Sequence, residues 1–165
     1  MSAETVPQAA LRGRAAELKA AGFNMLVDLT CIDYLGYGQD TRNASPAPAG
    51  RRLKLVYRFM ALDTATGLVT ARSVLECWVE DDKGPASVRD LYPCADWLER
   101  EVWDMFGVPF SDRPGIKRIL MYDAFKGHPL LKDYPIKQRQ PLIGPADGKP
   151  REHMTAADLR PRLVE

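Results

Sequence analysis

The densest group of side chains able to do chemistry is Glu99-Arg100-Glu101, two carboxylates around a guanidinium. Such a pair could act as general acid and general base, with the arginine tuning both. Its spacing argues against that. On a helix turning roughly 100° per residue, positions two apart diverge, so Glu99 and Glu101 do not meet at one substrate. A solvated helix face laced with ion pairs is one alternative, with Asp96 and Asp104 one turn to either side of Arg100 as its partners. A protein interface is the other. Trp97 and Trp103 favour it, because tryptophan beside arginine is the composition of a binding hot spot.

The remaining reactive side chains build no centre. His128 has no second histidine, cysteine or suitably spaced acid nearby, so Gly127-His128-Pro129 reads as a fixed turn presenting a charged surface rather than as a metal site. His153 lies in a polar stretch and supports no reading. Cys31, Cys77 and Cys94 are far apart without CxxC spacing. They read as small buried hydrophobes of a reducing compartment, and they fall short of the four thiolates an iron–sulfur cluster ordinarily takes. No GxGxxG, GxxxxGK[ST], HExxH or GxSxG pattern occurs. The expectation is a chain with no catalytic residue, metal or cofactor of its own.

Between positions 112 and 140 seven Lys/Arg (Arg113, Lys117, Arg118, Lys126, Lys132, Lys137, Arg139) stand against three acids (Asp112, Asp123, Asp133), with Tyr122, Phe125 and Tyr134 interleaved. Phosphate contacts and base stacking would suit such a segment. However, the whole chain carries a net charge of only +1 and shows no RRM, KH or zinc-knuckle pattern. Eight of its thirteen prolines fall from Pro109 onward, which rules out long regular elements there. An extended basic segment with few internal hydrogen bonds suits wrapping against a protein partner.

The elements that must hold these groups are legible upstream. Residues 7–21 place Leu11, Ala15 and Leu18 at helical spacing, with Pro7 near the start and Gly22 at the stop. Residues 24–34 alternate as a strand, with Val27, Leu29 and Cys31 against Asp28 and Thr30. Residues 35–51 are a Gly- and Pro-bearing surface excursion. The runs 52–62 and 68–79 alternate around a 63–67 turn and predict a β-hairpin. A short turn at 87–91 precedes a helix over 94–106, whose apolar stripe is centred on Leu98, Val102 and Met105. Gly107 is its left-handed cap. The predicted class is α+β: a mixed or antiparallel sheet with helices on one face, followed by an extended Pro-rich C-terminal segment. Its 165 residues, 45% apolar and 27% charged, suit one domain. A domain over 5–110 and a wrapping segment over 111–165 are expected to form a single structural unit. Neither a secretory leader nor a membrane span is predicted.

The run Glu99-Arg100-Glu101-Val102-Trp103-Asp104-Met105-Phe106-Gly107 closely resembles the signature of the 30 kDa subunit family of respiratory complex I. Arg113-Pro114 and Lys117-Arg118-Ile119-Leu120 resemble its continuation, and Phe125-Lys126-Gly127-His128-Pro129-Leu130 with Lys132-Asp133-Tyr134-Pro135 its second block. The likeness covers about residues 5–140. Arg113 departs from it where a histidine is common, and Leu131 where a basic residue is common.

The resemblance implies a cofactor-free subunit of NADH:quinone oxidoreductase, with NADH, FMN, iron–sulfur clusters and quinone bound by partner subunits. It implies that the region after the helix lies against the 49 kDa-type quinone-site subunit, near the cluster-bearing subunits. The location it implies is the cytoplasmic side of the bacterial inner membrane, reached only through the complex. Trp97, Glu99, Arg100, Glu101, Trp103 and Asp104 on the helix are the expected partner interface, together with Arg113, Lys117, Arg118, Lys126, His128, Lys132, Asp133 and Tyr134 after it. The same scaffold in a membrane-bound hydrogenase or a ferredoxin:quinone reductase is an alternative, as is an RNA-binding module.

Overall fold

The computed structural model describes residues 3–36, 50–135, 137 and 140, with the backbone of 142–143 and 150–151. It divides into two compact units, Met1–Tyr134 and Pro135–Glu165. In the first, β1 (Ala3–Val6) leads through a 3-10 turn (Gln8–Ala10) into α1 (Leu11–Ala20). Then come β2 (Met25–Asp33), β3 (Leu53–Leu62), β4 (Val69–Trp78) and α2 (Ala95–Phe106). The described part of the second unit includes β5 (Leu142–Ile143), antiparallel to β6 (Pro150–Arg151).

One four-stranded sheet in the order β1-β4-β3-β2 organises the first unit. The β2–β3 and β3–β4 pairs are antiparallel, whereas β1 runs parallel to β4. The predicted hairpin is β3–β4. Its turn is held by Asp63, whose carboxylate accepts from the Ala65 amide at 2.9 Å and the Thr66 hydroxyl at 2.8 Å. Leu55, Tyr57 and Phe59 of β3, Leu75 and Cys77 of β4, and Leu29 and Cys31 of β2 share one face. They are buried with Leu11, Ala15 and Leu18 of α1 and Ala95 and Val102 of α2. Each large side chain so buried is worth about 1.5–3 kcal/mol. The mixed sheet and the helices on one face are those expected.

Both helices end as their glycines dictate. After α1, the Gly22 amide bonds Lys19 O and the Phe23 amide bonds Leu18 O at 3.0 Å, while the Phe23 ring packs on the core. That is a Schellman cap with its hydrophobic contact. After α2, Gly107 adopts φ 73° and donates to Trp103 O.

Two local expectations need correction, and one element was not foreseen. The edge strand β1 has no counterpart in the reading of the sequence, because only Val6 of its four residues faces the core and no alternation is long enough to see. In β2 a bulge at Leu26/Asp28 resets the pleat, so Leu26 turns inward and Val27 is 50% exposed. Cys94 is exposed rather than buried, unlike Cys31 and Cys77. Residues 111–134 belong to the first compact unit, which runs to Tyr134. Most of the predicted 35–51 loop, Arg139 and His153 lie outside the described residues. Among the described residues no helix is long and apolar enough to cross a membrane.

Candidate functional site

The segment 112–134, hereafter the strap, has turns but no ladder of its own, so its backbone groups must find partners elsewhere. Side chains of the first unit supply them. Asp104, with no exposed surface, accepts from three successive strap amides: Ile119 at 3.0 Å, Leu120 at 2.8 Å and Met121 at 2.9 Å. Arg118 adds a charged bond to its other oxygen at 2.5 Å. Four donors thus surround one carboxylate, the condition under which burying such a charge is tolerable. Arg118 reaches further, donating to Gly127 O at 3.0 Å, and its guanidinium lies 5.5 Å from the Trp103 ring and 5.6 Å from the Phe125 ring.

Glu99 is the second buried carboxylate of α2. It accepts from Ser87 Oγ at 2.7 Å, the Val88 amide at 2.9 Å and Arg113 Nη1 at 2.8 Å. Arg113 spans to Asp96 with its other nitrogen, at 2.5 Å. Arg100 donates to two strap carbonyls, Lys117 O at 3.1 Å and Arg118 O at 2.8 Å, while lying 5.1 Å from the Trp97 ring. At the C-terminal end of α2 the His128 Nδ1 sits 2.9 Å from Asp104 O, and the Leu130 amide bonds Met105 O at 3.0 Å.

A third buried carboxylate holds the far end of the strap. Asp33 closes β2 and accepts from Arg52 at 2.8 and 3.0 Å, from the Leu35 amide at 2.9 Å and from the Lys132 amide at 2.9 Å. Arg52 extends to Asp133 at 2.6 Å. This clasp was not singled out from the sequence, although a signal exists. Asp33 continues the inward parity of Leu29 and Cys31, so a carboxylate is aimed at the core. Ser87, at the 87–91 turn, was likewise missed.

Electrostatics follow the same geometry. Burial pushes the Asp104 carboxyl up, but the Met121 and Ile119 amides, Arg118 and the Leu120 amide outweigh it and hold it below the ordinary carboxylate range. Asp33 behaves alike: burial raises it, and Arg52 with the Lys132 and Leu35 amides brings it down further. For Tyr57, buried beneath Glu99 and the two core thiols, desolvation drives the phenol well above its usual value.

The fourteen residues expected at a partner interface therefore separate by exposure. Glu99 and Asp104 have no free surface and Arg113 almost none, so these three are internal fastenings. Arg100 does not pair with Asp96 or Asp104 as expected, because those acids are taken by Arg113 and Arg118. Trp97, Glu101, Lys117, Lys126, Lys132 and Asp133 are exposed, while Arg100, Trp103, Arg118, His128 and Tyr134 are half-buried against one another and the strap. Trp97 is 60% exposed, with the strap's Leu120 and Leu130 at 56% and 51%. Among the described residues no group of three or more His, Cys, Asp or Glu side chains could hold a metal ion.

A family model described as "Respiratory-chain NADH dehydrogenase, 30 Kd subunit" matches residues 4–140. NADH-quinone oxidoreductase subunit 5 of Thermus thermophilus is 35% identical over 139 residues, covering 84% of this chain and 63% of its own length. The chain thus spans less than two thirds of that relative. The C subunit of NADH-quinone oxidoreductase from Neisseria meningitidis is 34% identical over 154 residues, covering 86% of this chain and 70% of its own. Among solved structures, "Nqo5 of the trypsin-resistant fragment (1-134) in P63 form" superposes with a TM-score of 0.54 at 33% identity, covering 67% of this chain and 78% of that one.

Proposed function

The chain belongs to the respiratory-chain NADH dehydrogenase 30 Kd subunit family, and from that membership we propose that it is a cofactor-free structural subunit of the NADH:quinone oxidoreductase peripheral arm. The observation that carries this reading is the saturation of Glu99 and Asp104. A general acid or base needs a lone pair and a proton path facing the substrate. Here both carboxylates face inward, each held by three or four donors. They serve to fix a strap onto a helix.

Quinone chemistry and electron transfer require reacting groups held to about an ångström. In this reading the chain supplies that rigidity to others. The strap and the exposed side of α2, with Trp97, Glu101 and Lys117, lie against the 49 kDa-type quinone-site subunit and tie it to the cluster-bearing part of the arm. NADH, FMN, clusters and quinone stay with those partners. The chain attaches to the cytoplasmic side of the bacterial inner membrane through them alone.

Native mass spectrometry of the gently solubilised complex tests the proposal. The expected result is one copy of this chain in a membrane-anchored assembly that includes a quinone-site subunit. Recovery of the chain only as a free protein, or quinone reduction by the purified chain alone, would overturn it.

A further inference from the structure

Beside the α2 clasp lies an open cleft of about 410 Å3 whose walls are basic: Arg89, Arg100, Arg113 and Lys117, around Gly115 and Ile116. The carboxylates bonded to these cations are Asp96 and Glu99, and both are spent on Arg113. Asp112, next to Arg113 in the chain, accepts from the Ser87 amide at 2.7 Å and is bonded to none of these cations among the described residues. Arg100 gives its two hydrogen bonds to carbonyl oxygens, which leaves further guanidinium N–H groups for a ligand and its charge without a carboxylate partner among the described residues. Arg89 and Lys117 are exposed, and among the described residues neither meets a carboxylate. The cleft thus concentrates positive charge in a chain whose net charge is only +1. Trp97, stacked on Arg100 at its rim, adds an exposed aromatic surface.

Resting on the scaffold reading above, we infer that this cleft is a socket for an aspartate- or glutamate-bearing segment of a partner subunit. The partner's carboxylate sits between Lys117, Arg89 and Arg100, and an apolar neighbour covers Trp97. An arginine already held in place by strap carbonyls loses little freedom on accepting a carboxylate. A partly enclosed charge pair is also screened less by salt than one on an open surface. A peptide carboxylate fits better than a nucleic-acid backbone, because the whole chain carries a net charge of only +1.

Zero-length carbodiimide coupling in the intact, membrane-extracted complex reads this contact directly. It joins the Lys117 amine to a carboxylate only at salt-bridge distance, and the product is found by peptide mass spectrometry. The expected result is an amide between Lys117 and an acidic residue of a partner subunit, lost in Lys117→Arg. Alongside it, Arg89→Ala/Lys117→Ala should lower the NaCl midpoint at which this chain leaves the complex. Both side chains are exposed and meet no carboxylate among the described residues, so the chain itself still folds. If the chain is in the complex and other lysines couple but Lys117 does not, the socket is overturned and the scaffold reading stands. Absence of the chain from the complex would remove both. Binding of a short single-stranded RNA by the purified chain at 50 mM salt, abolished by the double substitution, would overturn the socket in favour of a phosphate site.

Discussion

Single residues in this chain change meaning once their burial is known. Asp104 resembles a surface charge in the sequence, yet it gathers Arg118 and three amides around one carboxylate. Asp104→Asn should cost roughly 3 kcal/mol in urea unfolding, the scale of breaking a buried charge pair. The pH dependence follows from direction. The folded Asp104 and Asp33 carboxyls are held below their ordinary values, so their stabilisation is complete above about pH 4 and drains as acidification carries the solution through the lowered values. Amide exchange followed by NMR should show Ile119, Leu120, Met121 and Lys132 losing protection as the pH falls below about 4, before the β3–β4 ladder. In Asp104→Asn the acid-triggered loss at 119–121 should vanish while that at Lys132 persists. Tyr57 makes the opposite case. Its fully buried hydroxyl finds no hydrogen-bond partner among the described residues. Tyr57→Phe should therefore leave stability unchanged or raise it by up to about 1 kcal/mol in the same urea titration; a loss larger than that would mean the hydroxyl is satisfied in solution.

At the scale of elements, α2 and the strap form one device, and Gly107 is where they meet. Its φ of 73° strains any other L-residue, and a Cβ there would stand 2.6 Å from the His128 ring. Gly107→Ala should lower the thermal midpoint through both effects. Adding His128→Ala should recover the steric share and leave about 1 kcal/mol of backbone strain. No recovery in the double substitution would mean that His128 does not pack on the helix end. How much of this device was legible follows from its physics. Helix, hairpin and αL cap are local, written in the period of Leu98, Val102 and Met105 and in Gly107. The role of Glu99 was not, because a carboxylate on the shoulder of an apolar stripe looks solvated until Ser87, Val88 and Arg113 arrive from 11 to 14 residues away. The Val27 bulge and the short β1 edge were hidden for a similar reason: both are settled by the neighbouring strand rather than by their own residues.

For the whole molecule, the basic, aromatic strap was readable as something that clings. What the sequence could not separate was clinging to its own fold from clinging to a partner. The structure shows the first in the clasps of Asp104, Glu99 and Asp33, and leaves Trp97, Glu101, Lys117, Leu120 and Leu130 facing outward. On the scaffold reading proposed above, the charged signature matters for how much complex exists rather than for how fast each complex turns over. The most direct measurement is a comparison of wild-type and Asp104→Asn membranes, with assembled complex quantified on native gels and NADH:quinone turnover normalised to it. The prediction is less assembled complex with unchanged turnover per complex. Full assembly with lowered turnover per complex would contradict the account, because it would make Asp104 a participant in the reaction.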